Sequence, residues 1–146
     1  MFNLFKKAKY RDISSYEENW SIFKNEDGDN SYLIRINTGY KAAIGHPEFP
    51  VKLGIAISVE SHDEKIKDFK HSVEEFLYFF YKDKKAVLTA IIIGLGSNKF
   101  IEFLSYTGPD FNFAELDKNL QEKYPDFIFQ LNAETEQKWN TYKSFL

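Results

Sequence analysis

The chain has 146 residues, 43% of them hydrophobic and 28% charged, a balance that fits one globular domain with a real core and leaves no room for a second. It has no cysteine, which excludes disulfides, thiolate metal sites and a cysteine nucleophile, and no cofactor is expected. Residues 1–16 carry Lys6, Lys7, Lys9 and Arg11 against Asp12, so the net charge of −3 leaves the remainder six charges negative, the wrong sign for gripping nucleic-acid phosphates.

Residues 1–16 form a basic leader and residues 17–146 a single α+β domain. The leader "MFNLFKKAKYRD" lacks a long apolar stretch and a small-residue cleavage site, which predicts a cytoplasmic protein. Its Phe2, Leu4 and Phe5 beside lysines allow weak contact with a lipid surface. The simpler reading is a leader docked on the domain. The longest apolar runs, residues 86–95 and 76–81, fall short of the roughly 20 residues that span a bilayer, so no membrane insertion is expected.

Residues 18–37 alternate on both sides of an Asp-Gly turn, which predicts a β-hairpin with Trp20 and Ile22 on one face of its first arm and Tyr32, Ile34 and Ile36 on one face of its second. The turn "NEDGDN" resembles a calcium loop only superficially. With Gly28 at the obligatory glycine, the first and twelfth ligand positions fall on Phe23 and Ile34, which cannot ligate. "TGYKAAIGHPEFP" reads as an irregular connection with one helical turn, bringing Tyr40, His46 and Glu48 close in sequence, and a solvent-facing His46 is expected there.

Residues 51–60 alternate strictly and predict a strand buried on one face. The next segment opens with Ser61 and Glu64 in capping-box spacing. It then places Ile66, Phe69, Val73, Phe76, Leu77 and Phe80 three and four apart, the stripe of a core-facing helix, with His62 and His71 on its polar side. "KAVLTAIII" is apolar on both faces, which predicts a central strand covered on each side. A helix with Phe113, Leu116, Leu120 and Tyr124 on its inner face, capped by Asn112 and Glu115, a strand over "DFIFQLNA" and a terminal helix bearing Trp139, Tyr142 and Leu146 complete the chain. From residue 51 the order is strand, helix, strand, strand, helix, strand. That is the ferredoxin-like βαββαβ core, with an antiparallel sheet, both helices on one face, an added N-terminal hairpin and a short C-terminal helix.

Residues 94–108, "GLGSNKFIEFLSYTG", invite a phosphate-loop reading. Neither the three-glycine dinucleotide fingerprint nor the Walker pattern is met, and an alternating strand follows where a helix N-terminus would be needed. The run partly matches an RNA-binding strand at Lys99, Phe103, Leu104 and Tyr106. It departs at Phe100, Ile101 and Glu102, the last putting negative charge where a phosphate would lie. The stretch therefore reads as a reversal between two core strands, with its glycines serving backbone dihedrals. No nucleophile elbow is present.

"ENWSIF", "PVKLGIAISV", "GLGSNKFIEFLSYT" and "WNTYKSFL" together resemble the bacterial family catalogued as domain of unknown function 695, over most of the chain from about Trp20 to Leu146. The resemblance implies a small cytoplasmic α+β protein similar in shape to the regulator of ribonuclease activity B, and it associates the chain with toxin–immunity neighbourhoods. It carries over no catalytic residues. The expected function is a non-catalytic protein-binding domain, an immunity or inhibitor protein that neutralises a cognate toxin or enzyme by direct binding. An acidic body would steer such a basic partner. The candidate contact residues are Asp27 and Asp29 in the hairpin turn and Tyr40, His46 and Glu48 in the following connection. No catalytic or metal-binding residue and no nucleic-acid partner is expected. The alternatives are a small-molecule-binding protein or enzyme with a pocket on the open sheet face, which a His46–Glu48 contact with Tyr40 would favour, and a homodimer with no other partner.

Overall fold

The computed structural model describes residues 10–146. Phe2, Leu4, Phe5 and the three leader lysines before Tyr10 lie outside the described residues. Six strands, β1 Trp20–Asn25, β2 Tyr32–Asn37, β3 Val51–Ser58, β4 Ala86–Gly94, β5 Phe100–Thr107 and β6 Gln130–Thr135, form one antiparallel sheet in the order β1-β2-β4-β5-β3-β6. The last four strands have the split βαβ order, with β3 and β5 side by side from Val51 opposite Thr107 to Ser58 opposite Phe100. The hairpin β1–β2 extends this core past β4, where Ile34 lies opposite Ile92.

The helices α1 Glu64–Tyr81 and α2 Phe113–Lys123 cover one face. Phe69, Val73, Leu77, Leu116 and Leu120 from the helices meet Leu53, Ile55, Ile57, Ile91 and Phe103 from the strands in one core. The stripe read from spacing is thus the packed face. The cap of α1 differs from the capping-box expectation: Asp63 is the N-cap and accepts from the Ile66 amide at 3.0 Å, while Ser61 accepts from the Asp63 amide one step earlier. The helix therefore starts two residues later than a Ser61 cap would place it, with the Asp63 carboxylate on the third amide after it. Asn112 caps α2 as expected, accepting from the Glu115 amide at 3.0 Å.

The added elements cover the other face over β2, β4 and β5. Tyr16, Ala43, Phe49, Trp139 and Tyr142 lie on Ile34, Ile36, Ala90, Ile92, Leu104 and Tyr106 in a second core. Part of the segment read as leader therefore packs into the domain: Tyr16 is buried, and the Tyr10 hydroxyl donates to the Ile44 carbonyl at 2.7 Å. The terminal helix is shorter than expected, α3 Asn140–Ser144, because β6 continues to Thr135. Trp139 enters it with φ 56°, stacks on Tyr106 at 4.3 Å and donates from Nε1 to the Phe49 carbonyl at 2.8 Å. β4 carries a β-bulge between Leu88 and Ala90, where the Thr89 hydroxyl donates to the Leu104 carbonyl.

The glycines of the β4–β5 reversal correct the dihedral reading. Neither Gly94 nor Gly96 has a positive φ. They are needed for close approach: a Cβ on Gly94 would collide with the Phe100 ring, and one on Gly96 with the Asp29 main chain. The β1–β2 turn thus sits against the β4–β5 turn, and the Leu95 amide donates to the Ser31 carbonyl at 2.9 Å.

Candidate functional site: an aromatic groove between β1 and α1

The second half of α1 packs Leu77 and Tyr81 into the core and turns Tyr78 and Phe79 outward. Between it, the start of β1 and the start of β4 runs a groove of about 860 Å³, lined by Ile13, Trp20, Tyr40, Tyr78, Phe79 and Leu88. Tyr78 and Phe79 are 63% and 62% exposed. They follow Leu77, whose position on the buried stripe turns the two rings after it away from the core. Glu18, Glu75 and Asp83 supply negative charge around the groove, with Lys82 and Lys84 toward the end of α1.

An ion pair fixes this geometry. Arg35 on β2 donates from Nη1 to both oxygens of Glu74 on α1, at 3.1 and 2.9 Å, and its guanidinium lies 5.0 Å from the centre of the Trp20 ring. Both partners are mostly buried, so the bond is better shielded from water than a typical surface pair. Burial holds the neighbouring Lys70 ammonium below its usual range, Glu74 opposing and Arg35 adding to the effect. Tyr40, on the 3₁₀ segment Thr38–Ala43, stands across the groove. Burial above all, then the nearby Glu18 and Tyr78, push its hydroxyl up to about 12, so at neutral pH it remains a protonated donor.

The five contact residues read from the sequence do not gather in one place. Tyr40 is in the groove. Glu48 lies at the same end of the sheet on the surface, paired with Lys85 at 3.2 Å. His46, expected in solvent, is only 2% exposed. Its Nε2 donates to the Arg11 carbonyl at 2.8 Å, its Nδ1 accepts from the Glu48 amide at 3.2 Å, and its ring packs between Tyr10 and Phe49. A ring with both nitrogens used and no open surface holds the connection together and offers nothing to a partner. Asp27 and Asp29 are exposed in the hairpin turn, a strand's length of about 17 Å from the other end of β2.

A smaller polar strip occupies the uncovered half of the second face, over β3 and β6. Lys52 pairs there with Glu134 at 2.6 Å and approaches Glu136 at 3.6 Å. Glu136 accepts from the Tyr106 hydroxyl at 2.6 Å and from the Thr141 amide and hydroxyl at 2.8 Å each. Burial pushes the Glu136 carboxyl up, and these bonds with Lys52 outweigh it, so it titrates below its usual range. Glu102 lies over Gly54, where a Cβ would stand 2.7 Å from its Oε2. Burial raises its pKa, and Lys52 only partly offsets this. Of the rings on β5, Phe103 and Tyr106 are fully buried, so neither is free to stack on a base.

Sequence reasoning missed the groove because its wall comes from four separate segments, around residues 13–20, at 40, along 71–84 and at 86–88. The one local signal was "YFFY" at the end of α1, which carries more rings than a single buried stripe can use.

Fold and groove together define a small α+β domain of ferredoxin-like topology with an aromatic recess beside its helical layer. The chain belongs to the family of unknown function DUF695, whose profile matches residues 18–146. No curated protein and no solved structure matches it. Among the described residues, no helix is long and apolar enough to cross a membrane, and no three His, Asp or Glu side chains are grouped to hold a metal ion.

Proposed function

We propose that the chain is a non-catalytic protein-binding domain, and that the groove between β1 and α1 is where the partner seats. The observation that carries this reading is the exposure of Tyr78 and Phe79 at the mouth of an aromatic-walled recess. Large exposed rings on a helix beside a pocket have the character of binding hot spots. Glu18, Glu75 and Asp83 favour a partner that offers an apolar or aromatic projection flanked by basic groups. Such a partner fits a basic toxin or enzyme neutralised by direct cover, the role of an immunity or inhibitor protein. The acidic body assists encounter.

The test is calorimetric titration of the purified full chain with the product of the adjacent gene, repeated with Tyr78→Ala/Phe79→Ala. Binding by the parent that the double variant weakens at least about tenfold supports the reading. No binding, or binding that the variant leaves unchanged, removes it. A second reading, a small-molecule site, is favoured by one observation: the groove volume of about 860 Å³ falls within the range of ligand pockets. It predicts a ligand-induced rise in Tm that Tyr40→Phe or Tyr78→Ala abolishes.

A further inference from the structure

Among the described residues the sheet ends at β1 on one side and at β6 on the other. The two edges differ in chemistry. β6 is polar, with Gln130, Asn132 and Glu134, the last held by Lys52. β1, "WSIFKN", exposes Ile22 at 64% and Phe23 at 37%. It carries no proline or bulge, and its one lysine, Lys24, is tied to Glu26 at 3.0 Å. An apolar edge whose one charge stands near its end is a template for another strand.

The hydrogen-bond parity of β1 shows which groups are free. The Asn19 carbonyl accepts from the Thr38 amide at 2.8 Å. Carried along the register of β1 on β2, that alternation makes Ser21, Phe23 and Asn25 the residues that bond to β2. The main-chain groups of Trp20, Ile22 and Lys24 therefore point outward, two residues apart and centred on Ile22.

We propose that β1 is the self-association edge of a twofold dimer in which β1 of a second copy pairs antiparallel with it, in register about Ile22. A twofold axis perpendicular to the sheet keeps each face continuous, so residues opposite one another must share a face. Centring on Ile22 satisfies this and uses every outward group at once. Ile22 bonds its own copy, and Trp20 bonds Lys24 of the second copy on either side. The side chains agree: Ile22 buries against Ile22, the Lys24 stem lies beside Trp20, and Ser21 faces Phe23 of the second copy. Centring on Phe23 would pair Ile22 with Lys24 but set Trp20 opposite Glu26, past the end of the strand. One six-residue strand is a small interface, so the dimer forms with rising concentration. The inference is independent of the groove reading, since its test needs no partner.

The experiment is light scattering on the full chain from about 10 to about 500 µM, concentrations that span a weak interface. The expected result is a mass rising from 17.2 kDa toward twice that value. Ile22→Pro removes an outward N–H and spares the ladder to β2, so it should remain monomeric with an unchanged circular dichroism spectrum. Because the chain has no cysteine, Ser21→Cys/Phe23→Cys reports the register. The two positions face each other across the axis as a non-hydrogen-bonded pair, close enough for a disulfide, and oxidation should give covalent dimer, whereas neither Ser21→Cys nor Phe23→Cys alone should. A chain monomeric throughout, a dimer that survives Ile22→Pro, or equal cross-linking by either single variant overturns the proposal. If Ile22→Pro fails to fold, the cross-linking pair decides.

Discussion

Trp139→Phe is the sharpest probe of why the sheet face is closed and the groove left open. Trp139 is fully buried between Tyr106, stacked at 4.3 Å, and Tyr142, edge-on at 5.7 Å. Its Nε1 donates to the Phe49 carbonyl, tying the last helix to the connection that leads into β3. The substitution leaves that carbonyl buried without its donor, which costs about 1–3 kcal/mol. It also opens a void of roughly 40 Å³, worth about 1 kcal/mol more. The sum, about 2–4 kcal/mol, divided by an m-value of about 2 kcal/mol/M, shifts the urea midpoint down by about 1–2 M. Urea unfolding followed by far-ultraviolet circular dichroism measures it, with Ile128→Ala at a 78% exposed position as the control expected within about 0.5 kcal/mol. A Trp139→Phe midpoint equal to that of the control would refute the idea that the C-terminal segment seals the second face.

Glu136→Gln tests the polar clasp beneath the same segment. Its carboxyl is held below the usual range in the fold, so it adds stability that is present above the unfolded Glu pKa and is lost as pH falls through the folded value. The variant should therefore be less stable than the parent at pH 7 and lose that difference below about pH 4 in urea titrations at several pH values. Gly54→Ala and Gly96→Ala should part company. The first meets only the movable end of Glu102 and should lie between neutral and a gain of about 1 kcal/mol. The second meets the Asp29 main chain and should lose about 2 kcal/mol or more by chemical denaturation. Tyr40→Phe should remove a tyrosine titrating near pH 12 from the ultraviolet phenolate curve. The raised value means that its stabilising contribution is full below the unfolded pKa of about 10 and is lost as pH rises through the folded one.

The elements whose information is local were legible from the sequence. The stripe of α1, the alternation of β3, the two-faced apolarity of β4 and the Asn112 cap are fixed by neighbours along the chain, and together they imposed the strand order. What required the third dimension was misread or unseen. His46 stands between a glycine and a proline and looks like loop, yet Tyr10 and Phe49, far apart in sequence, close over it. Gly96 looks like a dihedral choice and is in fact a contact with a turn more than sixty residues away. Asp27 and Asp29 were grouped with Tyr40 and Glu48 by their shared polarity, but β2 separates them by its whole length. The groove itself appears only when the hairpin is laid beside α1.

That separation also offers the most direct test of where a partner seats. The backbone amide shifts of the ¹⁵N-labelled chain, followed by NMR as the adjacent gene's product is added, should change most around Trp20, Tyr40, Tyr78 and Phe79. Changes confined to the turn at Asp27 and Asp29, or none at saturating ratios, would contradict the assignment of the groove as the binding surface.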